Sequence, residues 1–305
     1  MRPITDRETY RRLAADASAD ARVPVEVRVD VPDPFLAYRR ARESRDGVLL
    51  ETTGGREGWS YFAVDPSERL TVGAETVCRD READGHGDYA APSPSLAAIE
   101  GFLGEETLVR GDCDVPFPGG VFGWLSYDIA RELETLPGAA EDDRGLPRVQ
   151  LARYETVAAW EEPRDVAGDG DGETTLRICA TPRVGEDPDT GYDRALAMAT
   201  NLAERATDGD PSVEAPPVEA ETVSFESDTG RAAYADRVRA VREYVREGDT
   251  FQANVSHRLT APAAVHPVDT YGALRRVNPS PYSGLLEFRG VDIVSASPEL
   301  LLRRE

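Results

Sequence analysis

The chain has 305 residues, with 57 Asp and Glu against 35 Lys and Arg, which gives a formal charge of −22. All 35 cationic side chains are arginine, because the sequence contains no lysine. This composition excludes chemistry that needs a lysine Schiff base or a lysine-containing phosphate loop, and it disfavours nucleic acid as a partner because an acidic chain repels phosphates.

The first two thirds of the sequence predict a mixture of strands and helices. Strands are expected, from period-two alternation or short apolar runs, at residues 23–31, 48–50, 59–64, 149–160 and 174–180. Helices are expected directly after Asp33-Pro34, at 96–103 and at 192–206. The stretch 207–224 is rich in Pro, Gly and Glu, which predicts a linker or a long surface loop.

The last third shows clearer patterns. Apolar residues at helical spacing predict a helix over 229–247, and Gly248 follows where a helix C-cap is expected. Strict alternation predicts a strand over 251–259. A further helix is expected at 270–277, followed by a hairpin of two strands at 284–288 and 291–297.

Three places in this last third are candidates for chemistry, each with a plainer alternative. Gln252, Asn254 and Arg258 share the polar face of the predicted strand and suit an anionic ligand, although an ordinary solvent face has the same pattern. Glu299 follows a strand and a proline, so it is either a general acid or a solvated loop glutamate. The two prolines within 278–282 predict a rigid turn that either presents groups to a ligand or simply connects a helix to a strand.

The three cysteines, at 78, 113 and 179, form no metal-binding or disulfide framework motif. We interpret them as small buried or half-buried hydrophobes in a protein from a reducing compartment. The N-terminus is charged throughout, and no apolar run is long enough for a membrane helix, so we expect a cytoplasmic protein without a membrane partner. The acidity indicates adaptation to a salt-rich cytoplasm.

Four ordered motifs resemble the chorismate-utilising enzymes, specifically the large subunits (component I) of aminodeoxychorismate synthase and anthranilate synthase, in a haloarchaeal-like form. They are Asp33-Pro34-Phe35 with Leu49-Leu50-Glu51-Thr52 and Trp59-Ser60-Tyr61; Pro116-Phe117-Pro118-Gly119-Gly120 with Ser126-Tyr127-Asp128 and Arg131; Gly248-Asp249-Thr250-Phe251-Gln252 with Ser256 and Arg258; and Asn278-Pro279-Ser280-Pro281-Tyr282 with Ser297-Pro298-Glu299-Leu300. The resemblance spans most of the chain.

The resemblance implies an α/β (α+β) fold, a two-layer sandwich of antiparallel sheets with outer helices and chorismate bound in a cleft. It divides the chain into an N-terminal lobe (1–206), a linker or long loop (207–224) and the first part of the chorismate-binding domain (225–305). The family continues beyond the position of Glu305 with the carboxylates that bind Mg²⁺. We therefore expect no metal ligands in this chain, and we expect residues 1–305 alone to be inactive.

The resemblance also assigns roles to individual residues. Glu299 becomes the general acid that assists loss of the ring hydroxyl. Gln252 takes the position where relatives that use water carry a lysine base, and because glutamine is not a base, ammonia is favoured as the nucleophile. Ammonia would come from a glutamine amidotransferase partner subunit. The family's pocket for L-tryptophan maps onto eight residues: Leu50, Glu51, Thr52, Ser60, Tyr61, Pro281, Tyr282 and Ser283.

Two departures from the tryptophan-regulated pattern lean toward one of the two products without deciding between them. Ser283-Gly284 replaces the usual Met-aromatic pair, and Asn254 resembles the aminodeoxychorismate enzymes. The sequence therefore favours formation of 4-amino-4-deoxychorismate for folate synthesis, with anthranilate formation for tryptophan synthesis as the alternative. An inactive fragment that binds an amino acid or a partner is a third hypothesis, from a different functional class.

Overall fold

A computed structural model describes most of the chain. The described residues are 1–43, 46–73, 76–81, 85–90, 95–104, 106–134, 142–163, 172–220 and 222–303, and for 76–81 and 85–90 the description covers the backbone alone. Cys78 belongs to that backbone-only part. The residues form two compact units, one made of 1–213 with 267–305 and the other of 214–266. The predicted division into an N-terminal lobe (1–206), a linker (207–224) and part of a chorismate-binding domain (225–305) is not tested by these two units and stays a prediction.

The described residues contain six α-helices and fifteen strands. The helices are α1 (Arg7–Ala14), α2 (Pro34–Ala41), α3 (Ser95–Leu103), α4 (Pro188–Asp208), α5 (Arg231–Glu247) and α6 (Pro267–Val277), with a short 3₁₀ helix at Tyr127–Glu132. The strands are β1 (Arg2–Pro3), β2 (Val25–Val31), β3 (Val48–Glu51), β4 (Gly58–Ala63), β5 (Glu68–Val72), β6 (Thr76–Arg81), β7 (Gly85–Ala90), β8 (Gly120–Leu125), β9 (Val149–Tyr154), β10 (Thr156–Glu162), β11 (Thr174–Ala180), β12 (Glu226–Ser227), β13 (Leu259–Thr260), β14 (Tyr282–Phe288) and β15 (Val291–Ser297).

The larger unit contains two antiparallel sheets. An eight-stranded sheet has the order β1-β2-β11-β10-β4-β3-β14-β15, and a five-stranded sheet has the order β7-β6-β5-β9-β8. One face of the larger sheet packs against helices α1, α2, α4 and α6 through a cluster that includes Trp160 and Tyr38. Its other face packs against the smaller sheet through a second cluster that includes Tyr61 and Tyr154. The predicted layers of antiparallel sheets with outer helices are confirmed.

The predicted strand 149–160 is in fact two strands in different sheets. Buried residues of the second cluster fall at Ala152 and Tyr154, then at Val157 and Ala159. The alternation therefore shifts by one residue at Glu155, where the chain leaves the smaller sheet and enters the larger one. A single-residue shift reverses which side chains of a strand face the core. Because of this shift, residues of β9 in the smaller sheet and of β10 in the larger sheet both face the core between the two sheets.

The predicted strand 251–259 is wrong. In the smaller unit, as far as the structure describes it, the pairing in this region is limited to β13 with β12, at Leu259–Thr260 and Glu226–Ser227. Phe251, placed on the buried face by the alternation, is 92% exposed. Alternating residues form a strand only where a neighbouring strand satisfies the backbone hydrogen-bonding groups, and residues 251–258 have no such neighbour among the described residues.

The prediction of a helix that ends at a glycine is confirmed, because Gly248 is the C-cap of α5 with a φ of 85°.

Buried arginine–glutamate pairs stabilise the larger unit. In each of three pairs, two guanidinium nitrogens donate to the two carboxylate oxygens of one glutamate at 2.5 to 3.0 Å: Arg42–Glu287, Arg177–Glu26 and Arg275–Glu51. The planar fork of arginine matches a carboxylate in a way that lysine cannot. A chain without lysine therefore uses its arginines as buried cross-links between elements.

Candidate functional site

Three neighbouring strands bring the predicted tryptophan-type pocket residues together. In the larger sheet β3 lies between β4 and β14, with Leu50 opposite Tyr61 and Glu51 opposite Ser283. Residues that are far apart in sequence therefore become cross-strand neighbours. The hydrogen bond from the backbone N–H of Thr52 to Oγ of Ser60, at 2.9 Å, fixes the end of β3 against β4.

The sheet divides these residues between its two faces, however. Glu51 faces helix α6, where it meets Tyr271 and Arg275. Tyr61 belongs to the core between the two sheets, and the ring of Phe117 packs edge-on against it at 5.8 Å. Because successive side chains of a strand point to opposite faces, Glu51 and Tyr61 contact different layers of the fold.

Glu51 is a buried anchor between β3 and α6. Its carboxylate accepts hydrogen bonds from Tyr271 Oη at 2.7 Å and from Arg275 Nε and Nη2 at 2.8 and 2.5 Å, and its side chain is 1% exposed. Burial and the neighbouring Glu51 charge raise the pKa of Tyr271 well above its usual value. Burial lowers the pKa of Arg275, but the charge and hydrogen bonds of Glu51 outweigh this and raise it. The sequence motifs do not indicate either partner of Glu51, although the i, i+4 spacing of Tyr271 and Arg275 places them on one helix face.

A cavity of about 360 Å³ opens beside this anchor, and we name it the β3-end pocket. It is lined by Thr52, Thr53, Gly54, Gly55, Glu162, Pro163, Arg275, Arg276 and Pro279. Of the eight predicted residues, Thr52 alone is among those lining residues. The pocket offers a carboxylate and two guanidinium groups around small and apolar residues, which suits a zwitterionic ligand of modest size.

The rigid turn predicted at 278–282 forms one wall of the β3-end pocket. Thr53 and Ser280 tie it to the turn after β3: the backbone N–H of Ser280 donates to Oγ1 of Thr53 at 2.7 Å, and that hydroxyl donates to the Ser280 carbonyl at 2.6 Å. Ser283 Oγ donates to the same carbonyl at 3.0 Å. This segment therefore shapes the pocket and does not merely connect α6 to β14.

Gly284, one of the departures from the family pattern, lies close to Leu50 on the neighbouring strand. A Cβ atom at position 284 would lie 3.1 Å from Cδ2 of Leu50. Leu50 is 37% exposed, so its side chain has room to move. A larger residue at 284 would therefore require a shift of Leu50.

The predicted catalytic residues lie in different units. Glu299 follows β15 in the larger unit, with its carboxylate exposed and its backbone fixed by Ser297, whose Oγ donates to the Glu299 carbonyl at 3.0 Å and accepts from its N–H at 3.4 Å. Gln252, Asn254 and Arg258 are exposed and lie in the smaller unit, outside any strand. Their roles stay predictions.

The one candidate metal cluster among the described residues does not fit Mg²⁺. Among the side chains that the structure describes, one cluster has three potential metal ligands within 4.8 Å of one another, namely Glu26, Cys113 and Cys179. Mg²⁺ prefers an octahedron of oxygen ligands, and thiols do not suit it. This cluster therefore has no role in binding Mg²⁺.

None of the helices in the described ranges is both long and apolar enough to cross a membrane.

Comparison with known proteins identifies similar chains. The sequence profile of the chorismate binding enzymes matches residues 55–305. Anthranilate synthase component 1 1 of Haloarcula marismortui is 58% identical over 304 residues, which are 99% of this chain and 58% of that protein. Anthranilate synthase component 1 of Thermus thermophilus is 39% identical over 278 residues, 90% of this chain and 55% of that protein.

The fold has a counterpart among solved structures. Anthranilate synthase component I from Streptococcus pneumoniae TIGR4 matches with a TM-score of 0.54 and 19% identity, over 79% of this chain and 50% of that one. At this identity the match shows the fold alone. The chain spans a little over half the length of the two curated relatives.

Proposed function

Because the chain belongs to the family of chorismate binding enzymes, we propose that it is part of an anthranilate synthase component 1 and acts in the conversion of chorismate to anthranilate. The observation that carries this proposal is the 58% identity to a Haloarcula marismortui protein of that name over nearly the whole chain. The relatives thus support the second of the two activities predicted from the sequence. Formation of 4-amino-4-deoxychorismate, toward which Asn254 and Ser283-Gly284 lean, has no such relative among these matches.

The proposed chemistry is amination of chorismate by ammonia with loss of water, after which the enolpyruvyl side chain leaves as pyruvate and the ring becomes aromatic. Glu299 would protonate the leaving hydroxyl, and its fixed backbone and exposed carboxylate at the end of β15 are compatible with that role. Gln252 would orient groups by hydrogen bonding without activating water. A glutamine amidotransferase subunit is the proposed source of ammonia, and Mg²⁺ is the proposed ion, with ligands outside this chain.

Function together with the rest of a known relative tests the proposal. We expect a chimera of residues 1–305 and the remaining C-terminal part of the Haloarcula marismortui relative to convert chorismate and ammonium to anthranilate, which fluorescence and chromatography detect directly. Residues 1–305 alone are the matched control and should give no product. A chimera that folds but forms no anthranilate would overturn the proposal, because residues 1–305 would then fail to serve an anthranilate synthase.

A second candidate function is amino-acid binding in the β3-end pocket. The observation that favours it is the lining, which places Arg276 and Glu162 around the same cavity. An arginine suits the carboxylate of a free amino acid and a glutamate suits its ammonium group. L-tryptophan is the proposed ligand, since the predicted tryptophan-type residue Thr52 lines this cavity.

We expect residues 1–305 to bind L-tryptophan in a calorimetric titration, and Arg276→Ala to weaken binding about tenfold by removing a charge-assisted hydrogen bond. Arg289→Ala removes an exposed arginine elsewhere on the same unit and should leave the affinity unchanged. Absence of heat with the unmodified chain would contradict the amino-acid pocket. Equal affinities of the two variants would place the ligand elsewhere.

A further inference from the structure

Two cysteine thiols that are 66 positions apart in sequence meet at the edge of the core between the sheets. Sγ of Cys113 lies 4.0 Å from Sγ of Cys179. Cys179 is fully buried in β11, whereas Cys113 is half-buried in the segment that leads to β8. A turn closed by the Cys113 N–H and the Arg110 carbonyl, at 3.1 Å, carries the thiol of Cys113. One sulfur is therefore held by a central strand, and the other sits on a surface turn.

The surroundings make the two thiols chemically unequal. The hydrogen bond from Cys179 lowers the pKa of Cys113 to about 7, burial opposes this, and the Val115 backbone and the Arg177 guanidinium add to the lowering. The same hydrogen bond, together with burial, raises the pKa of Cys179 well above its usual value. Of the two thiols, Cys113 is therefore the one that ionises more readily and lies nearer the surface, whereas Cys179 is buried and holds its proton.

A neighbouring arginine holds this arrangement in place. Arg177 is next but one to Cys179 on β11, and its Nη2 donates to the carboxylate of Asp114, the residue after Cys113. This ion pair fastens the turn that carries Cys113 to the strand that carries Cys179. The guanidinium of Arg177 also lies over the ring of Trp59 at 5.4 Å, which limits the positions it can take.

The cluster of Glu26, Cys113 and Cys179 suits a disulfide bond between the two cysteines better than it suits a bound metal ion. The third potential ligand, Glu26, already accepts hydrogen bonds on both oxygens from Arg177, at 2.9 and 3.0 Å, and a further one from Arg28 at 2.6 Å. Two guanidinium groups therefore neutralise the carboxylate and repel a cation. The two thiols, in contrast, already contact each other.

We propose that Cys113 and Cys179 are a redox modification site that forms an intramolecular disulfide by exchange with a low-molecular-weight disulfide. The Cys113 thiolate attacks one sulfur of the small disulfide, breaks its S–S bond and releases one small thiolate. Cys179 then loses its proton, attacks Cys113 Sγ and releases the second small thiolate. Two protein thiols are oxidised and one small disulfide is reduced to two thiols.

Closing the bond requires the sulfurs to approach from 4.0 Å to about 2.05 Å. Cys113 is on a turn and can supply most of this movement, while Cys179 stays in its strand. The cross-link would fasten the segment before β8 to the larger sheet. That segment includes Phe117, which packs on Tyr61, so the disulfide would also restrict this part of the core.

The test uses the full 305-residue chain with Cys78→Ser, which leaves Cys113 and Cys179 as its two thiols. After exposure to oxidised glutathione and alkylation, we expect non-reducing digestion and mass spectrometry to show a peptide joining residues 113 and 179, with no alkylated thiol. Dithiothreitol should restore both thiols. The cross-link should raise the midpoint of thermal unfolding by about 5 °C.

Single variants in the same background test the order of attack. Cys179→Ser should stop at a stable glutathione adduct on Cys113, whereas Cys113→Ser should leave Cys179 unmodified, because that thiol is buried and protonated. Cys179→Ala replaces the serine variant if the latter does not fold. Alkylation of both cysteines after oxidation, or separate glutathione adducts on each, would overturn the proposal.

Discussion

Replacing Glu287 by glutamine is expected to lower the free energy of unfolding by about 3 kcal/mol. Glu287 lies on β14, where its two carboxylate oxygens accept hydrogen bonds from Arg42 Nε and Nη2 at 3.0 and 2.9 Å, and Tyr38 donates a further short one. The side chains of Arg42 and Glu287 are 2% and 1% exposed. Burial raises the pKa of Glu287, and the hydrogen bonds from Tyr38 and Arg42 oppose that shift.

The size of this effect follows from what the substitution leaves behind. Glutamine keeps the shape of the side chain but removes the negative charge that faces a buried guanidinium, and an uncompensated buried charge costs several kcal/mol. The pair also joins α2 to β14, elements 245 positions apart in the chain, so the loss affects the whole larger unit. Urea unfolding followed by tryptophan fluorescence reports this unit directly, because Trp59, Trp124 and Trp160 all belong to it.

Two comparison variants sharpen the measurement. Asp128→Asn alters an exposed ion pair with Arg131 and should cost about 0.5 kcal/mol or less at the same salt concentration. Glu51→Gln should fall between the two, since its partner Arg275 is 14% exposed and also lies 3.7 Å from Asp33. If Glu287→Gln costs no more than Asp128→Asn, the buried pair contributes no net stability.

Replacing Glu299 by glutamine in the chimera is expected to reduce turnover at least 100-fold while leaving the unfolding transition unchanged. Glutamine has the shape of a protonated glutamate but cannot deliver a proton to the leaving hydroxyl. The carboxylate is exposed, and the bonds that Ser297 makes go to the backbone of Glu299, so the substitution should not disturb folding. Initial rates of anthranilate formation at saturating chorismate measure the effect.

The control for this variant is Glu219→Gln, which changes an exposed loop glutamate and should keep the full rate. A pH–rate profile adds an independent readout, since loss of the general acid should remove one limb of the profile. A rate within a few-fold of the unmodified chimera would remove Glu299 from the reaction, whatever the family resemblance implies.

Local patterns predicted elements well where tertiary contacts agree with them. The helix after Asp33 begins as expected because Asp33 accepts the N–H groups of Phe35 and Leu36 at 3.4 and 3.3 Å, and such a cap depends on a few adjacent residues. The hairpin of β14 and β15 turns at Gly290, whose φ of 84° suits glycine. The strand expected at 251–259 failed because pairing partners are not encoded in the strand itself.

For the predicted tryptophan-type pocket, too, the sequence predicted the neighbouring strands but not the side-chain contacts. The sequence placed Glu51, Ser60 and Ser283 in one region correctly, since they lie on adjacent strands. It did not show that Tyr271 and Arg275 would donate hydrogen bonds to Glu51. Nor did it show that Arg276 and Glu162 would line the open cavity. Side-chain direction depends on register and on helix packing, which a linear motif does not contain.

By itself, the sequence determined the family and the layered antiparallel fold, because motifs and hydrophobic alternation are local properties of the chain. The tertiary structure alone decided which glutamate each buried arginine binds, where β9 changes sheet to become β10, and that Cys113 meets Cys179. These are contacts between residues far apart in sequence, and they form only when the sheets close over a common core.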